Sequence, residues 1–179
     1  MSICMNTFIS SVRAAAVALL GLVLVTLTPA AGAAVTDGQR FQDWTVRCDK
    51  PAEGAPEGAI PICYLHQQVK GQQGDQPLMF IMIGYLPNKS EPVAILSFPL
   101  GIFLPTGITL QIDDGKPARF PIERCFPNGC RAGLELADEL LNAFKSGTGA
   151  SFTYHYDSEQ KVTARVSLSG FTAGVGALK

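Results

Sequence analysis

Apolar and polar residues alternate along most of the chain. In Phe41-Gln42-Asp43-Trp44-Thr45-Val46-Arg47-Cys48, Trp44, Val46 and Cys48 fall on one side and Thr45 and Arg47 on the other. That is the period of a half-buried strand. Cys63 to Val69 repeats it, with Cys63, Leu65 and Val69 on one side. Leu78 to Leu86 is apolar throughout, which predicts a central strand covered on both faces. Val93 to Phe98 predicts another. Ile108 to Ile112 alternates, and Asp113-Asp114-Gly115-Lys116 predicts a hairpin turn into a returning strand with Phe120 and Ile122. Arg131 to Leu136 predicts a further strand. Phe152 to Tyr156 and Val162 to Leu168 predict a last hairpin across 157–160.

The period changes at Leu136 to Lys145, where Leu136, Leu140, Leu141 and Phe144 share a helical face. Asp138 and Glu139 lie early, Lys145 late, and Gly147 just beyond, a charge order that complements the helix dipole. Phe171, Val175 and Leu178 line up as a short terminal helix, with Ser169 as its expected cap. About nine strands with turns every ~8–12 residues specify a mostly β chain. The fold class expected is an antiparallel β-sandwich or partly closed barrel with one or two short helices.

Two segments depart from these patterns. Ala14 to Thr28 is a run of 15 residues without a charge, preceded by Arg13 and followed by Pro29 and small residues through Ala34. A bilayer-spanning helix needs ~20 apolar residues, so residues 1–34 read as a secretory leader cleaved near Ala33 or Ala34. One domain, 35–179, then remains without a transmembrane anchor, in the periplasm, secreted, or associated with the outer membrane. The second segment is the connector Pro99 to Gly107. Two prolines and two glycines keep it out of a sheet interior, yet it carries Leu100, Ile102, Phe103 and Leu104. Leu100 and Leu104 are expected under the domain, and Ile102 and Phe103 at a tip available to a partner or a second copy.

Composition narrows the chemistry. The chain has 179 residues, with 14 basic against 15 acidic side chains, so no basic surplus exists to hold nucleic acid. Hydrophobic residues make up 47% and charged ones 16%, which excludes a disordered chain. No G-x-S-x-G pentapeptide and no full calcium-loop register occur. The two histidines, His66 and His155, lie on separate strands among polar or aromatic neighbours. Phe152, Tyr154 and Tyr156 could form an aromatic binding strip, but cross-strand packing accounts for them as well. We expect no catalytic residues, no metal and no cofactor.

Cys4 leaves with the leader, and four cysteines remain. An even number in an exported chain implies two disulfides, with three possible pairings. The Pro127-Asn128-Gly129 turn favours Cys125 with Cys130. The Pro/Gly-rich loop from Lys50 to Pro61 then separates Cys48 from Cys63; closing a loop of about 15 residues contributes roughly 3 kcal/mol. A zinc site would want C-x2-C-like pairs, whereas the spacings here are 14 and 4 intervening residues.

Five blocks in register carry a family likeness: Trp44-Thr45-Val46-Arg47-Cys48, Pro99-Leu100-Gly101 through Leu104-Pro105-Thr106-Gly107, Asp113-Asp114-Gly115, Arg124-Cys125 through Gly129-Cys130, and Ser167-Leu168-Ser169-Gly170-Phe171-Thr172-Ala173. Together they resemble the invasion-associated locus B family of exported bacterial proteins. The family likeness brings no catalytic residues with it, and the expected role is a non-enzymatic exported domain that binds a protein or envelope partner. In pathogenic members the likeness implies a part in entry into host cells. An interior site for a small ligand or lipid is the alternative.

N-terminal sequencing of protein recovered from the periplasm or medium should read from Ala34 or its neighbour. An intact Met1 terminus there would overturn the leader.

Overall fold

The computed structural model describes residues 34–51, 53–54, 61–71, 77–87, 89–157 and 159–179. The expected leader, apart from Ala34, lies outside them, as does most of the loop before Cys63. The strands are β1 (Arg40–Phe41), β2 (Trp44–Asp49), β3 (Ile62–Lys70), β4 (Pro77–Tyr85), β5 (Pro92–Phe98), β6 (Ile108–Ile112), β7 (Ala118–Phe120), β8 (Arg124–Phe126) and β9 (Gly129–Glu135). Helix α1 (Asp138–Ser146) follows, then β10 (Gly149–His155), β11 (Lys161–Ser167) and helix α2 (Phe171–Ala177). Among the described residues that is eleven strands rather than nine. The additions, β1 and β8, have two and three residues, too short for alternation to register.

Every pairing is antiparallel, in a seven-stranded sheet of order β1-β2-β3-β4-β5-β9-β8 and a four-stranded sheet of order β11-β10-β6-β7. The two sheets form a sandwich and do not close into a barrel. Leu65, Ile81, Ile83, Leu96 and Phe98 are buried from the large sheet, and Ile108, Leu110, Phe152, Tyr154 and Val166 from the small one. Tyr154 meets Phe98 edge-on at 5.2 Å, and its hydroxyl donates to the Leu78 carbonyl at 3.0 Å. Burial, with neighbouring Tyr156, raises the Tyr154 pKa and holds its hydroxyl protonated.

The two helices close one end of the large sheet. Phe171 of α2 stacks between Trp44, at 5.6 Å, and Phe144 of α1, at 5.5 Å. Gly174 lies directly on Leu65, where an added Cβ would come within 2.8 Å of that side chain. Gly170 takes the position before the helix at φ 86°, and a Cβ there would strike the Phe41 carbonyl oxygen. Ser169 is therefore not the cap expected for this helix; its hydroxyl bonds the Gln42 side chain instead. α1 starts at Asp138, because Leu136 still belongs to the sheet edge, its N–H bonded to the Pro92 carbonyl.

One polar side chain fastens the two layers, and a second ties the β6–β7 turn to the start of β10 within the small sheet. Gln67 of β3 accepts from Ser167 N–H at 2.9 Å and donates to the Ser167 and Asp43 carbonyls at 3.1 and 3.3 Å. Asp113, at φ 44° in the β6–β7 turn, accepts from Thr148 N–H and hydroxyl at 2.9 and 2.7 Å and from Gly149 N–H at 2.9 Å. The Thr148 hydroxyl first, then the two backbone donors, hold its carboxyl below the usual range.

Gly170→Ala should cost about 2 kcal/mol or more, since a strained left-handed backbone and a blocked carbonyl contact add; a melting temperature equal to the parent's would contradict the α2 docking. Because the Asp113 pKa falls on folding, its stabilisation is complete above about pH 4 and lost as pH falls below that. Asp113→Asn should therefore be less stable than the parent at neutral pH and converge with it in acid. Denaturant titrations at neutral pH and near pH 2 would show a constant gap if the idea is wrong.

Candidate functional site

The connector from Pro99 to Gly107 leaves β5, reverses at Gly101 (φ 87°) and ends in a single 3-10 turn, Leu104–Thr106. It is pinned at three points. Phe103 N–H bonds the His155 carbonyl at 2.7 Å, the Thr106 hydroxyl bonds the Phe103 carbonyl at 2.9 Å, and Arg119 donates to the Thr106 carbonyl. The first of these draws the segment against β10 and turns Ile102 inward, where it is 7% exposed. The expectation that Ile102 stands free at a tip is thus corrected. Phe103 is exposed as expected, at 36%, but Leu100 and Leu104 are not covered by the domain and stand 53% and 50% exposed. The outward set is Leu100, Phe103 and Leu104.

A second apolar surface lies on the outer side of the large sheet. The expectation that β4 is covered on both faces fails there, since no described element packs on that side. One row across the strands runs Thr45, His66, Met82, Ile95, Gly133; the row beside it toward β8 runs Gln68, Phe80, Ser97, Arg131, Arg124. On the far side Arg47 pairs with Tyr64. A shallow depression of about 390 Å³ is lined by these side chains and closed at one end by Asn128 and Gly129. Phe80, Met82, Ile95, Tyr64 and His66 are half-buried side by side on this face. His66 lies 5.8 Å from the Phe80 ring, and burial, then the Arg47 charge, push its pKa down, so it is neutral at pH 7. The Tyr64 hydroxyl donates to Asp49, and burial followed by that carboxylate raises its pKa.

Cations border this face. Arg47 makes a 3.6 Å ion pair with Asp37, both side chains more than half exposed, which contributes little. Arg131 and Arg124 stack on the Phe126 ring at 5.1 and 5.9 Å. Among the described residues no carboxylate pairs with either within 4.0 Å. Glu123 rests over Gly133 in the adjoining row.

The cysteines join as neighbours in the sheet. Cys48 and Cys63 oppose each other on β2 and β3 with sulfurs 2.09 Å apart; Cys125 and Cys130 do so on β8 and β9 at 1.98 Å. Of the aromatic strip, Phe152 and Tyr154 belong to the core and Tyr156 packs at its margin. Among the described residues no group of three or more His, Cys, Asp and Glu gathers, and no helix is long and apolar enough to cross a membrane.

A family model described as invasion associated locus B protein matches residues 44–179. Invasion protein B homologues from two Brucella abortus strains, 2308 and 9-941, are each 30% identical over 146 residues, covering 80% of this chain and 80% of theirs. The crystal structure of invasion associated protein B from Bartonella henselae superposes with a TM-score of 0.64 at 20% identity, covering 78% of this chain and 94% of that one. That likeness concerns the fold. Matched by the family model over residues 44–179, which is more than half of its length, the chain belongs to the invasion associated locus B family.

Proposed function

We propose that this chain is an exported, non-enzymatic domain that binds a protein or envelope partner through the connector tip. The observation that carries this reading is the outward set Leu100, Phe103 and Leu104 on a segment pinned by hydrogen bonds on either side. A pinned apolar patch loses little conformational entropy on binding, and patches of this kind mark contact sites. Export is supported by the sequence of residues 1–34 and by two disulfides, which persist in oxidising compartments. Interaction with host cells during invasion is supported by the names its relatives bear. A non-catalytic role fits the histidines: His66 stacks on Phe80, and His155 lies on the other sheet. The alternative of a ligand held inside a barrel loses its ground, because the sheets stay open and core side chains fill the space between them.

The test compares Leu100→Ser/Phe103→Ser/Leu104→Ser with Ile102→Ser. The triple variant should melt within a few degrees of the parent and lose the partner cross-linked to the parent in envelope or host-membrane preparations. Ile102→Ser should lower the melting temperature by several degrees, since emptying a buried site costs about 2–4 kcal/mol. A triple variant that captures the same partner, or that unfolds, would sink the tip as the binding site.

A further inference from the structure

We propose that the outer face of the large sheet docks an extended acidic segment of a partner protein. Arg124 and Arg131 hold a carboxylate at one end, Arg47 holds another at the far end, and an apolar side chain between them rests on Phe80 and Met82. This rests on the reading of the chain as a partner-binding domain but uses side chains other than the connector's outward set.

Three observations converge on it. The first is composition. Tyr, Phe, Met and Arg are the residues enriched where proteins bind proteins, and here they share one uncovered sheet face. Phe80 and Tyr64 are rigid, and Met82 adapts its shape to an incoming side chain. The second is charge. Arg124 and Arg131 are exposed, and each guanidinium lies over the Phe126 ring, 5.9 and 5.1 Å from its centroid, a contact that helps hold it in place. A guanidinium so held is preorganised to grip a carboxylate with two parallel hydrogen bonds, and among the described residues none is supplied by the chain itself. Among the described residues Arg47 is paired with Asp37 alone, an exposed and weak ion pair. Asp49, the other acid at that corner, is already taken by the Tyr64 hydroxyl.

The third observation is span. β2 and β9 are separated by β3, β4 and β5, about 19 Å at ~4.8 Å per strand, and Arg131 stands four residues along β9 from Glu135, which shares the row of Arg47, so the diagonal between them is about 23 Å. An extended segment covers that distance in roughly seven residues at ~3.3 Å each. A partner strand with acids at both ends and an apolar residue between matches the face. A lipid tail matches poorly, because acyl chains need a cavity that encloses most of their surface, and this depression opens to solvent.

The probe is a fluorescein-labelled heptapeptide with glutamate at its first and seventh positions, phenylalanine at its third and fifth and serine elsewhere, so that acids and rings share one face when extended, titrated into the folded chain at low and at high salt. Saturable binding is expected at low salt and should weaken steeply as salt rises. Arg124→Gln/Arg131→Gln, verified to melt like the parent, should weaken binding by about tenfold or more. Arg124→Glu/Arg131→Glu should lose the acidic peptide and take up its lysine-for-glutamate counterpart, an exchange no loss of folding can produce. The Leu100→Ser/Phe103→Ser/Leu104→Ser variant should bind the acidic peptide as the parent does, which separates this test from that of the connector tip. Absence of saturable binding would overturn the proposal, as would equal affinity of the parent for the lysine peptide or unchanged affinity in the Gln variant. So would vesicles of phosphatidylcholine and phosphatidylglycerol, or a second copy of the chain, proving to be what the Gln variant loses while peptide binding persists.

Discussion

The two sheets are unequal, and most of the architecture answers that inequality. A seven-stranded layer offers more inner surface than a four-stranded layer can cover, and Trp44 and Leu65 lie where the smaller sheet gives out. The C-terminal helix fills the gap, and its fit is close enough to dictate residues. Gly174 must be small because the Leu65 side chain fills the space where a Cβ would go. Gly170 must turn left-handed because the chain enters the helix against the Phe41 carbonyl. Gln67 completes the seam by treating the edge of β11 as if it were a neighbouring backbone, pairing with both N–H and C=O of Ser167. Removing the helix would expose an indole and a leucine that are now fully buried, roughly 1.5–3 kcal/mol each.

The opposite side of the large sheet has no such covering among the described residues. Its apolar residues lie beside one another, half-buried, with arginines and tyrosine at the margins. This division, one face sealed by helices and the other left to side-chain neighbours, sets which part of the molecule is structural and which is free to engage something else. The pinned connector adds a second outward surface of a different kind, aliphatic and aromatic without charge.

Much of this was legible in the sequence. Alternation marked the strands, the single change of period marked α1, and the cysteine spacing pointed to neighbouring pairs. Leu78 to Leu86 also carried the sign of the outer face, since Phe80 and Met82 are apolar at the parity that faces away from the core. Read alone, however, that run implies a second covering layer, because periodicity reports which positions are apolar and not whether anything packs on them. The connector misled for a related reason. Four apolar residues among prolines and glycines do not reveal which is turned inward; one backbone hydrogen bond, from Phe103 to His155, decided that Ile102 is core. Short strands such as β8 were invisible because three residues hold too little pattern. The arginine stack on Phe126 arises from a pairing across the hairpin, which spacing alone does not supply.

Each disulfide joins residues directly opposed on adjacent strands, 15 and 5 positions apart in sequence, and neither spans the two layers. Oxidation therefore needs no prior assembly of the sandwich. Of the three pairings that four thiols allow, this is the one that each hairpin can close by itself, so the bonds brace single strand pairs and leave the contact between the layers to packing.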